Sequence, residues 1–227
     1  MIARAGDRLS AEQADALAQL CRLYWYPVYV YIRRTGAAPD DAQDLTQSFF
    51  AWLLESHLVA KATATRGRFR SFLLGVARRF LDHERQKTAA IKRGGGRPLI
   101  SWDEPGVERR YLSEPIEHAS PEKLFDRAWA RALLERVVAG LREPYERSGA
   151  VTRFEKLEAY LPGGDTDPPP YGETASVLDM SEGALRVEVH RLRRKFRTLL
   201  RTEIAHTVDT PKDVDEELRY LITALST

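Results

Sequence analysis

Apolar residues recur at spacings of three and four along most of the chain, the period of helices with one buried face. Leu17, Leu20, Tyr24 and Val28 form the first such run. Ser10-Ala-Glu-Gln13 has the spacing of a capping box, so a helix is predicted from about Ala11. Pro27 removes a backbone donor and is predicted to kink this helix, or to start a second one, before about Arg34. Gly36 supplies the stop. Pro39-Asp-Asp opens the next helix, with acids where the helix dipole favours them. There Ala42, Leu45, Phe49 and Trp52/Leu53 make one buried stripe, and Asp44, Gln47, Ser48 and Ala51 fall largely off it. A third helix is predicted from about Gly67 to Lys87, with Phe69, Phe72, Leu73, Val76, Phe80 and Leu81 on its apolar face, and with Arg68, Arg70, Arg78, Arg79 and Arg85 around the rest and Arg66 just before it.

Gly94-Gly-Gly96 breaks the pattern, and periodicity stays weak to residue 119. That stretch reads as a linker, with Trp102, Tyr111 and Leu112 suited to packing on a neighbour. Ser120-Pro121 restarts helix to about Leu141 through Leu124, Trp129, Leu133, Leu134, Val137 and Leu141. Phe154 to Leu161 is a short helix ended by a Pro/Gly-rich run from Pro162 to Pro170. Segments 171–178 and 182–205 are helical around a tight turn. A last helix follows Thr210-Pro211 with Val214, Leu218, Leu221, Ile222 and Leu225. No stretch alternates as a strand does. The expected class is all-α: two small helical domains over 1–93 and 120–205, a linker over 94–119, and a helical extension over 206–227.

Composition changes this picture at three points. The net charge of +2 conceals two basic segments. Residues 66–97 hold ten Lys/Arg against two Asp/Glu, and residues 186–201 hold seven against one. Two cationic stretches in an acidic background suit a protein that meets a polyanion at two places. Cys21 stands alone and the five histidines are scattered, so neither a disulfide nor a metal site is expected, and no cofactor is expected either. No apolar run approaches the roughly 20 residues of a membrane span. The start of the chain lacks an apolar signal region, so a cytoplasmic protein with no membrane partner is expected.

The candidate chemistry concentrates in Tyr171 to Arg194, which has the layout of a helix-turn-helix. Ala175 and Leu178 face inward on its first helix, Asp179-Met-Ser181 makes the turn, and Ser181 caps the second helix. Leu185, Val189 and Leu192 form the second helix's inner stripe. Arg186, Val187, His190, Arg191, Arg193 and Arg194 are left outward, and Glu188 is placed to pair with Arg191 or a neighbour, or to accept from cytosine. A helix of this kind fits the major groove of B-DNA, where arginine forks match guanine edges. Farther along, Arg193, Arg194, Lys195, Arg197 and Arg201 are placed for phosphates.

Taken together, three motifs in series resemble the extracytoplasmic-function group of bacterial sigma factors. Asp40 to Phe50 resembles its polymerase-binding stretch in region 2, Phe69 to Asp82 its promoter-melting helix, and Tyr171 to Arg194 the helix-turn-helix of region 4. The resemblance implies that Asp44, Leu45, Gln47, Ser48 and Phe50 dock the coiled-coil clamp of the polymerase β′ subunit. It implies that Arg70, Phe72, Arg78, Arg79 and His83 face the opened −10 element. It implies that Ser181, Arg186, Val187, Glu188, His190, Arg191 and Arg194 face the −35 duplex. Core polymerase (β′ clamp and β flap) and promoter DNA are the partners it implies, with an anti-sigma factor or other regulator as a further candidate. This chain departs from the family at Ser48, where an acid is usual, at Leu74 and Arg79, where an aromatic and an asparagine are common, and at Glu188, where a base is common. The extension after His206 is an addition with three open roles: to cover a basic surface, to bind a regulator, or only to finish the core.

No nucleotide loop, metal cluster or nucleophile–base pair is legible, so an enzyme is not expected. The competing expectation is a stand-alone helix-turn-helix regulator.

Overall fold

The computed structural model describes residues 11–56, 68–90, 106–113, 119–163, 167–208 and 210–226. Among them it is all-α, with nine helices and no strand. These are α1 (Ala11–Arg34), α2 (Pro39–Glu55), α3 (Phe69–Ala90), α4 (Val107–Ser113), α5 (Pro121–Arg147), α6 (Val151–Glu158), α7 (Tyr171–Val177), α8 (Glu182–Ala205) and α9 (Pro211–Ser226). None of the described helices is long and apolar enough to cross a membrane. The chain clusters into two compact units that divide between Trp129 and Ala130.

In the first unit α1 is the central element. Tyr24, Trp25, Tyr26, Val28, Tyr29, Val30, Tyr31 and Ile32 are all buried, so its second half is apolar around its whole circumference. That is the signature of a helix with neighbours on every side, not of the single stripe the spacing predicts. Pro27 sits inside this one continuous helix, its lost backbone bond offset by the burial around it. Gly36 ends α1 with φ of 99°, a conformation that side chains resist. From α3, Leu73, Val76, Ala77, Phe80 and Leu81 complete the core, and Phe80 meets Phe49 of α2 edge-on at 5.6 Å.

Helix α4 lies in the stretch that reads as a linker, and it is clasped to α1. Its Tyr111 meets Tyr29 edge-on, and Arg110 lies over the Tyr26 ring at 3.9 Å. Glu108 accepts from Arg33 Nη2 at 2.7 Å and from the Tyr29 hydroxyl at 2.5 Å. Leu112, by contrast, is exposed, and Trp102 lies outside the described residues. Arg33 holds the Glu108 carboxyl below its ordinary value of 4.5. A depressed carboxyl pKa contributes stability above that value and loses it as pH falls through the folded pKa. Amide protection over Val107–Ser113 should therefore decline below about pH 4.5 in the wild type and lose this pH dependence in Glu108→Gln. Hydrogen exchange across that range checks it. Burial also pushes the Cys21 thiol up to about 11, as suits a small core residue.

The second unit is built on α5, which continues through Pro144 to Arg147, beyond the end its periodicity suggests. Gly149, with φ of 71°, turns the chain into α6. Leu133, Val137 and Leu141 of α5, Phe154 and Leu157 of α6 and the inner stripe of α8, from Leu185 through Ile204, are all buried, and Tyr145 of α5 meets Phe154 at 5.2 Å. Helix α9 packs on α8 through Val214, Leu221 and Ala224. Ile222, expected in that stripe, is exposed, and Leu218 is half-buried.

Candidate nucleic-acid interface

The turn between α7 and α8 follows from local chemistry. Asp179 adopts φ of 51°, which aspartate tolerates better than most residues. Met180 N–H donates to the Ala175 carbonyl, and the Ser181 hydroxyl accepts from the Ala184 N–H at 3.2 Å, so Ser181 is the cap its sequence indicates. Leu185, Val189 and Leu192 are buried on the inner side of α8. The opposite side presents Arg186, Val187, His190, Arg191, Arg194, Lys195 and Arg197 to solvent, with Val187 51% exposed.

Two side chains of α8 differ from expectation. Glu188 is half-buried and accepts from Arg153 of α6 at 2.9 Å and 2.5 Å, in place of Arg191. Its charge is thus paired within the fold. Arg193 is half-buried, and its Nε donates to the Tyr160 carbonyl at 2.8 Å, so it braces α8 and does not point outward. At the far end of α8, Arg201 pairs with Asp215 of α9 at 2.7 Å. One cation of the basic segment is therefore paired with the C-terminal extension, though both side chains stay about half exposed. Asp213 instead bonds back to Thr210 at the start of α9.

In the first unit the proposed −10 residues part company. Arg70 is 5% exposed. Its Nη1 donates to Asp126 at 2.6 Å, and its guanidinium lies over the Trp129 ring at 5.2 Å. It is a core strut, where the resemblance implies an outward-facing residue. Arg78, Arg79 and His83 are exposed along α3, and Phe72 is half-buried. Phe72, Arg79 and His83 line a groove of about 450 Å³ with Trp52, Phe80 and Lys87. Trp52 comes from α2, where spacing predicts a buried residue, yet it is 37% exposed. Its ring lies 5.6 Å from that of Phe80. The groove therefore has aromatic walls and a cationic rim. The one acid on that rim, Glu84, is bonded to Lys87 at 2.8 Å.

A second groove, about 630 Å³, runs between α2 and α3 and is lined by Asp41, Asp44, Leu45, Ser48, Leu81, Glu84 and Arg85 among others. Asp44 is exposed, while Leu45, Gln47 and Ser48 are half-exposed. Leu45 thus leaves the buried stripe and becomes available to a partner. Phe50 is only 7% exposed and packs against Phe49, so it supports this face without presenting itself. Arg153 and Tyr171 are residues of these surfaces that periodicity does not single out. Each acquires its setting from another helix, Arg153 from Glu188 of α8 and Tyr171 from Arg186 of α8. No known protein family, curated protein or solved structure matches this chain.

Proposed function

We propose that the chain is a bacterial sigma factor of the extracytoplasmic-function type, which brings core RNA polymerase to promoters and performs no catalysis of its own. One observation carries the reading: the two units bear different surfaces, each suited to a different form of DNA. The second unit presents a capped helix with a cationic, groove-sized outer face, suited to paired bases. The first offers an aromatic groove rimmed by Arg79, His83 and Lys87, suited to unpaired bases whose flat faces stack on aromatic rings. A duplex-binding regulator has no use for the second kind of surface. The neighbouring groove of Asp41, Asp44, Leu45 and Ser48 is the proposed seat for the β′ clamp, in a cytoplasmic setting. Arg70 and Phe50 are buried, so in this reading they support these surfaces from beneath.

The test is binding of the purified chain to core polymerase in the absence of DNA. Wild type should bind, and the Asp44→Ala/Gln47→Ala double variant should bind about tenfold more weakly, as for other truncated interface residues. If wild type ignores core polymerase but binds duplex tightly and specifically, the chain is a stand-alone helix-turn-helix regulator instead.

A further inference from the structure

We infer that Tyr171 and Glu182 are positioning residues that orient Arg186 before DNA arrives and so set the base preference of α8. This rests on the proposed duplex-reading role of that helix and assigns which side chains fix its specificity.

A column of rings leads from the core to the guanidinium. Tyr160 is fully buried at its base, and its hydroxyl is hydrogen-bonded with Thr174 Oγ1 at 2.8 Å and the Pro169 carbonyl at 3.0 Å. Tyr171 stacks on Tyr160, with ring centroids 4.7 Å apart and 28° between planes. Arg186 lies over the other end of the column, its Cζ 4.5 Å from the Tyr171 centroid. One turn earlier on α8, Glu182 Oε1 accepts from Arg186 Nε at 3.1 Å and from Nη2 at 2.5 Å.

The donor inventory gives these contacts a consequence. A guanidinium carries five N–H groups in a planar fork. The Glu182 carboxylate occupies the Nε/Nη2 edge, and the Tyr171 ring covers one face. The Nη1/Nη2 end stays open, an edge able to pair with two acceptors of a guanine. Holding a long flexible side chain in that pose moves its ordering cost from the binding step to the folding step. Glu182 sits in the first turn of α8, where the helix dipole favours an acid. No such ring or carboxylate holds Arg191 or Arg194 among the described residues, which suits them to phosphate contacts that need no fixed pose.

Two measurements on the full chain test this. In the free protein, ¹⁵N relaxation of the arginine Nε–Hε groups should show Arg186 more ordered than Arg191 and Arg194. That order should persist in Tyr171→Phe and disappear in Tyr171→Leu. In the holoenzyme, a library of upstream duplexes should show Arg186→Ala flattening the preference at one base pair. Tyr171→Leu should reduce preference at that same pair by about two- to fivefold, the scale of an exposed cation–π contact. It should have no further effect once Arg186 is alanine, and Tyr171→Phe should behave as wild type. An Arg186 as mobile as Arg194 would overturn the inference, and so would a Tyr171→Leu loss spread evenly over all sequences. Either can occur while core binding is intact, which leaves the sigma reading standing. A chain with an ordered Arg186 that does not bind core polymerase overturns the sigma reading instead.

Discussion

Asp126→Ala should cost about 3–5 kcal/mol of unfolding free energy, the range for breaking a buried ion pair by removing one partner. The Arg70 and Asp126 side chains are 7% and 10% exposed, and they meet at 2.6 Å. An arginine cannot shed its proton to escape burial, so the variant must keep a cation in the core that has lost this carboxylate. The size of the effect distinguishes it from an exposed pair such as Arg201–Asp215, which at about half exposure on both sides belongs to the range of 0–1 kcal/mol. Urea unfolding followed by tryptophan fluorescence measures it, and Trp129 lies beside the pair as a probe. Replacing both partners, Arg70→Met with Asp126→Leu, should restore most of the loss, because an apolar pair of similar volume has no charge to solvate. The double variant also decides the role of Arg70. It should retain promoter binding, since a strut can be replaced by packing. If it folds with wild-type stability but loses affinity for the −10 strand, Arg70 leaves the core to meet DNA, and its assignment as a strut fails.

The distribution of legible and illegible features follows from how far each residue's partner lies along the chain. The helix-turn-helix is readable because its determinants are local: Ser181 caps a helix that begins at the next residue, and Leu185, Val189 and Leu192 share a face by spacing alone. Arg70 looks like any other arginine on a basic helix. What buries it is Asp126, 56 positions later, which no local pattern announces. Glu188 likewise finds Arg153 on α6, 35 positions earlier, and not the neighbour its helix offers. Periodicity places Leu45 and Trp52 in the buried stripe of α2, and the resemblance places Phe50 on its docking face, and all three depart from that for a related reason. A helix packed against two others buries a stripe wider than one face, and the packing geometry decides which flank closes. α1 is the extreme case, since a centre of the core has no polar side to mark it. Inside the expected linker, Tyr111 gives a hint of packing, but the clasp of Glu108 on Arg33 and Tyr29 spans at least 75 residues.

The other large effect concerns the aromatic that α3 itself lacks. If the first unit grips an unpaired strand as proposed, Trp52→Ala should weaken holoenzyme binding to a forked promoter by about five- to hundredfold, since base–aromatic stacking is worth roughly 1–3 kcal/mol. Trp52→Phe should retain most of the affinity, because a smaller ring still offers a face. Binding to a fully paired upstream duplex should be unchanged in both, as that surface belongs to α8. Trp52 is the informative choice because it is more than one-third exposed while touching Phe49 and Phe80 at the groove wall. Phe80 is almost wholly buried, and its removal would open a cavity whose cost hides any effect on DNA. The forked and paired templates therefore separate the two units with one substitution. Equal losses on both templates would mean that Trp52 acts through the fold. No loss on either would remove the stacking groove from the account of promoter opening, leaving Arg78 and Arg79 to hold the strand by charge alone, with the steep salt dependence that implies.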